Sequence, residues 1–147
     1  MESHKYTRTQ ARKIGAYKAL KYTLIVFLAV EARMLYLTTR GDFANGILFF
    51  MQEQMNSLAL SIIFLLFLCA FVLGRWAGIK ILMDEKSHVL MALLFAFLSW
   101  GILIGYLFLL SSIGAGLADW KGPALSMFLV SLIIWVATGW SIKRARA

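Results

Sequence analysis

Residues 22–38 read YTLIVFLAVEARMLYLT, a stretch apolar enough to lie in lipid except for Glu31 and Arg33. A charge at the centre of a bilayer costs roughly 2.5–3.5 kcal/mol to insert on translocon scales. Glu31 follows Lys21 by ten residues and precedes Arg40 by nine. If the stretch is one helical crossing, this spacing puts Glu31 near the bilayer midplane. Arg33 lies about 200° around the helix from Glu31, so the two cannot neutralise one another on a shared face. Arg33 can snorkel outward along its stem, whereas Glu31 reaches neither surface. Two readings of Glu31 stand open. It lines a cation or proton path or binds a cationic group of a partner, or it is a structural group that fixes helix or subunit register.

Outward from this stretch, the chain reads as an all-α membrane protein. Its 147 residues are 61% apolar, with one proline and a mean hydropathy of +0.79. Each helical crossing needs about 20 residues. We expect four, at about 22–39, 47–74, 88–111 and 123–141, inside a membrane domain of residues 22–142. A basic cytoplasmic arm, 1–21, precedes them and a basic tail, 143–147, follows. The basic start is long and no small-residue cleavage pattern follows the first apolar stretch, so the first crossing is expected to remain. Cys69 is the single cysteine, which excludes an intramolecular disulfide and a cysteine metal cage. The two histidines, His4 and His88, cannot supply a buried bis-histidine haem site within one subunit. No phosphate loop, nucleophile elbow, zinc spacing or hydrolase carboxylate pair is present. We therefore expect no enzyme, no catalytic residue, no metal and no cofactor.

Thr7 and Gln10 have capping-box spacing, so a helix can begin there and run into the membrane. Ile14, Tyr17 and Leu20 recur at threes, as in a helix lying on lipid, though a solvated basic lead-in gives the same pattern. Arg40-Gly41-Asp42 reads as a turn. The second apolar region is too long for one perpendicular span, and Gln52, Glu53, Gln54 and Asn56 interrupt it. Its core span is expected at about Asn56–Leu73, preceded by an outer extension or an interfacial helix over 44–55 and followed by a loop from Arg75 to Ser87. Pro123 suits the first turn of the last helix. The connection before it contains Gly114, Gly116, Asp119 and Trp120.

The net charge of +8 is unevenly spread. Twelve Lys and Arg lie in the arm, the loop after the second crossing and the tail, against Arg40 and Lys121 on the other side. The positive-inside rule then places both termini in the cytoplasm, most simply of a bacterial inner membrane. Trp76 and Trp140 fit one aromatic belt and Trp120 the other, while Trp100 and Trp135 are deep enough to pack. Arg8, Arg12, Lys13, Lys18, Arg75 and Lys80 form a cytoplasmic face suited to anionic lipid or an acidic protein partner. Direct nucleic-acid binding is not expected. An interfacial position is the expected role of His88.

Gln52 and Asn56 are four apart, so on a continuous helix they share a face. Around a symmetry axis they would make a ring of amides beside Glu53, and carboxylate rings attract cations. The alternative is a polar helix end wetted by headgroups. Gly101 and Gly105 make one small-xxx-small pair and Gly74 and Gly78 another, both expected to allow close packing inside the bundle.

Phe71-Val72-Leu73-Gly74-Arg75 at the end of the second crossing, the short charged loop after it, and Leu109-Leu110-Ser111-Ser112-Ile113-Gly114 at the end of the third carry a resemblance. Over its C-terminal half the chain resembles the RexB-type four-helix membrane proteins of phage exclusion, with a less basic loop. That resemblance implies a membrane-depolarising channel under a cytoplasmic sensor partner. It does not include Glu31. The residues themselves lead to an oligomeric ion-conducting protein with its path between protomers, near Glu31, Arg33, Gln52, Glu53 and Asn56. The alternatives are a non-conducting scaffold or sensor that recruits a cytoplasmic protein, an accessory subunit of a larger complex, and a small-solute transporter.

Overall fold

The computed structural model describes residues 6–112 and 121–146. Five helices account for nearly all of them, with no strand among the described residues. The turn-like residues Gly114, Gly116, Asp119 and Trp120, together with His4 and Lys5, lie outside the described residues.

The first helix, α1, spans Arg8–Thr39 without a break. It opens on the capping box expected from the sequence: the Gln10 amide donates to Thr7 Oγ1 at 3.2 Å, and the Thr7 amide donates to Gln10 Oε1 at 2.9 Å. The expected arm and first crossing are thus a single helix. Arg40 caps its end, and Asp42 opens the second helix, α2 (Phe43–Gln54), by accepting from the Asn45 amide and side chain. The chain breaks at Met55–Asn56 before α3, Ser57–Leu82. This gives the short separate helix expected ahead of the second core span, and divides the broader 47–74 segment in two.

Helix α3 does not end at Gly74-Arg75 but continues to Leu82, so the expected loop from Arg75 shrinks to residues 83–87. The glycines are helix interior there because α1 lies against them. In the shortened loop the Lys86 amide donates to the Lys80 carbonyl, and Glu85 takes a left-handed φ of 50°. This is the geometry that usually ends a helix with glycine. Ser87 then precedes α4 (His88–Ser112), and α5 runs from Lys121 to Arg146 with Pro123 in its first turn.

Three segments are long and apolar enough to cross a membrane: Ala59–Leu82, His88–Leu110 and Ala124–Ala145. These are compatible with an integral membrane protein. Helix α1 is longer than any of them, but its length is divided between a charged half and an apolar half bearing Glu31 and Arg33.

Packing is concentrated at one end of the bundle. Along α1, Ala11, Gly15, Ala19 and Thr23 recur at fours and are buried, facing Ala70, Gly74, Ala77 and Gly78 of α3. Without a hydrophobic driving force between helices in lipid, such small residues let backbones approach and gain dispersion contact. The core then extends through Phe95 on α4 and Trp135 on α5, whose rings lie 5.4 Å apart. Trp135 packs as expected. Trp100 is half-buried and donates its indole N–H to the Ala124 carbonyl at 3.0 Å. The Tyr6 hydroxyl donates to the Ala145 carbonyl, so the start of α1 and the end of α5 meet at this same packed end. At the opposite end, residues 24–39 of α1 are exposed or half-buried throughout.

Candidate functional site

The fourfold row that is buried in the first half of α1 continues through Phe27 to Glu31, both half-buried. Such a row drifts about 40° around the helix per step. Glu31 is therefore turned some 80° from Thr23, which is 1% exposed, and only partly covered. Arg33, on the other side, is exposed among exposed Leu28, Met34, Leu35 and Leu37. Neither has an ion-pair partner among the described residues.

The pairing of α1 with α3 fixes which turn of α3 stands level with Glu31. Gly15 lies against Gly78, Ala19 against Gly74, and the Phe27 and Phe67 rings meet edge-on at 5.8 Å. This antiparallel register brings Glu31 level with about residue 62 of α3. Ser61 is in that turn, and the Tyr106 hydroxyl of α4 donates to it at 2.7 Å. The apolar span of α3, Ala59–Leu82, is centred near residue 70. Glu31 thus lies about 12 Å along the helix pair from the centre of that apolar segment, toward the open end, and the part of α1 level with the centre is near Thr23.

The expected amide face on α2 does not form. Gln52 and Glu53 are exposed near the end of α2, but the helix stops at Gln54. Asn56 instead opens α3, its carbonyl accepting from the Leu60 amide at 3.0 Å. Gln52 and Asn56 therefore belong to two helices and share no helical face. Helix α2 is anchored to α1 at Gly46, where an added Cβ would fall 2.2 Å from the Thr38 carbonyl oxygen. Thr38 is seven residues beyond Glu31, about 10 Å along the axis. Among the described residues no hydrogen bond or ion pair joins Gln52 or Glu53 to Glu31 or Arg33.

The two glycine pairs have opposite fates. At Gly74 and Gly78 an added Cβ would strike α1, whereas at Gly101 and Gly105 nothing lies within 4 Å. The first pair thus lies against α1, while the space an added Cβ would take at each glycine of the second pair is open. Reading from the sequence missed the partner of the first pair, Ala11, Gly15 and Ala19. Its signal was the spacing of small residues by four within the basic arm.

Of the expected basic face, the structure gathers Arg8, Arg12, Lys13 and Arg75. Two open clefts of roughly 350 and 380 Å³ flank the α1–α3 pair, and both are lined by Arg12 and Arg75. Lys18 lies over the Tyr17 ring at 6.0 Å, and Lys80 is held by Asp84 at 3.2 Å. His88 is the first residue of α4. The chain matches no protein-family model, no curated protein and no solved structure.

Proposed function

We propose that this chain is a four-crossing protein of a bacterial inner membrane, with both termini cytoplasmic, that assembles with copies of itself along the outer half of α1. The assembly passes ions and so depolarises the membrane, along a polar seam between protomers whose mouth is marked by Glu31. One observation carries the reading. The outer half of α1 leaves Glu31 half-buried and Arg33 exposed amid exposed apolar side chains, without an ion-pair partner among the described residues. Charged groups facing hydrocarbon are costly and normally turn toward protein or water. A second protomer supplies both, because Glu31 and Arg33 lie on nearly opposite sides of α1 and suit a ring in which each carboxylate meets the next guanidinium. The twelve-to-two distribution of basic residues and the meeting of the two chain ends agree with termini on one side. The likeness to RexB-type proteins points in the same direction.

The test is ion flux through purified protein in liposomes, with the mass of the detergent-solubilised particle measured in parallel. The expected outcome is a particle of more than one protomer and a flux that falls on Glu31→Gln. A strictly monomeric particle, or a flux indifferent to Glu31→Gln, would refute the reading.

A further inference from the structure

We propose that the cleft between α1 and α3 at the packed end of the bundle binds an anionic phospholipid, its phosphate held between Arg12 and Arg75. The inference concerns the opposite end of α1 from Glu31 and stands independently of ion conduction. Both clefts share these two arginines. Arg8 and Trp76 complete one, and Lys13 and Phe71 the other, and no carboxylate lines either. None of the four cations has an ion-pair partner among the described residues. Arginine presents a planar fork of donors that matches a phosphate, and its weak hydration suits a boundary site.

The surface beneath distinguishes lipid from other phosphates. Below Arg75, exposed Phe64, Leu68, Phe71 and Val72 run down one face of α3 at helical spacing. Arg75 lies over the Phe71 ring, 5.6 Å from its centroid, so its guanidinium stands at the head of that strip. From Arg75 to Phe64 is eleven residues, about 16 Å along the helix. The strip is long enough for an acyl chain to lie along it, since the chains of one leaflet extend about 15 Å. Trp76, half-exposed in the same turn, adds an amphipathic ring beside the guanidinium. A soluble phosphate or an acidic peptide would use the arginines and leave this strip without a role. A two-tailed lipid uses both.

The experiment is native mass spectrometry of the full chain released from mild detergent with added phosphatidylglycerol or phosphatidylcholine. The wild type should retain phosphatidylglycerol in preference to phosphatidylcholine. Each juxtamembrane cation contributes about fivefold in affinity, so Arg12→Gln with Arg75→Gln should lower phosphatidylglycerol affinity roughly 30-fold. Arg40→Gln, which removes a cation at the other end of α1, should leave it unchanged. Arg12→Lys with Arg75→Lys keeps the charge and tests whether the fork matters, and helicity by circular dichroism verifies folding of every variant. Undiminished phosphatidylglycerol binding by the folded Gln double variant would overturn the proposal. So would displacement of the lipid by equimolar glycerol phosphate, or by polyglutamate that binds through the same arginines.

Discussion

Adding a single methyl group to Gly78 should loosen the α1–α3 pair, although the same change improves most helices. At an ordinary interior position Gly→Ala stabilises a helix by up to about 1 kcal/mol, because alanine loses less backbone entropy. At Gly78 the new Cβ would fall 2.0 Å from the Ala11 carbonyl oxygen, and at Gly15 it would fall 2.0 Å from that of Gly74. Ordinary contact begins at 3.4 Å, so the helices must separate by more than 1 Å along that direction. The obstacle in both cases is backbone, which has no rotamer to yield. The hydrogen that now points at each carbonyl also gives a Cα–H···O contact, each worth about 0.5–1 kcal/mol in such close pairs.

A gap of that size forfeits about half of the attraction of each affected atom pair, or about 0.1 kcal/mol per pair. Over a few dozen pairs the loss is on the order of 2 kcal/mol, in the range found for overpacked cores. Offset by the helix-propensity gain, the net expectation is a destabilisation of about 1–2 kcal/mol at either glycine. Gly101→Ala is the control, since nothing lies within 4 Å of its added Cβ and only the propensity gain applies. Unfolding midpoints of the three variants in one detergent, followed by circular dichroism, should therefore move in opposite directions. Equal midpoints, or a Gly78→Ala protein more stable than Gly101→Ala, would refute the close approach. The first half of α1 would then be no part of the bundle.

Two further changes should raise stability. Glu85 holds a left-handed backbone at the end of α3, a conformation that costs a non-glycine residue about 1 kcal/mol. Glu85→Gly should recover roughly that amount, read as a higher unfolding midpoint, and a lower midpoint would mean that the side chain is needed there. Thr23 is buried on α1 with a hydroxyl that has no hydrogen-bond partner among the described residues. Thr23→Val keeps the branched shape and removes the unsatisfied group, for an expected gain of about 1 kcal/mol in the same assay. A loss on that substitution would reveal a partner for the hydroxyl.

The features legible in the sequence are those decided within a few residues. The capping box at Thr7 and Gln10, the turn at Arg40–Asp42, the break at Gln54–Asn56 and the first-turn Pro123 each depend on local backbone chemistry. Trp135 was legible as a packing residue because it lies deep within an apolar span. Gly74 and Gly78 carry the same spacing as Gly101 and Gly105, yet only the first pair packs. The difference is made by Gly15, about sixty residues away, where a small-residue row in α1 meets α3. The same contact keeps α3 helical past Gly74-Arg75, where glycine followed by charge otherwise reads as a stop.

The surroundings of Glu31 show why counting outward from flanking charges does not place a residue within a helix bundle. Lys21 and Arg40 are equidistant markers only if both lie at membrane boundaries. Once Ala11, Gly15 and Ala19 dock on α3, Lys21 comes level with about residue 72, well inside the apolar span of its neighbour. Lys21 extends over the Tyr22 ring, 5.8 Å from its centroid, which lets a long stem follow apolar surface toward water. Glu31 therefore stands level with Ser61 and Tyr106 toward the open end of the pair, and its partial burial is a matter of how α1 meets α3 and not of its distance from Lys21 and Arg40.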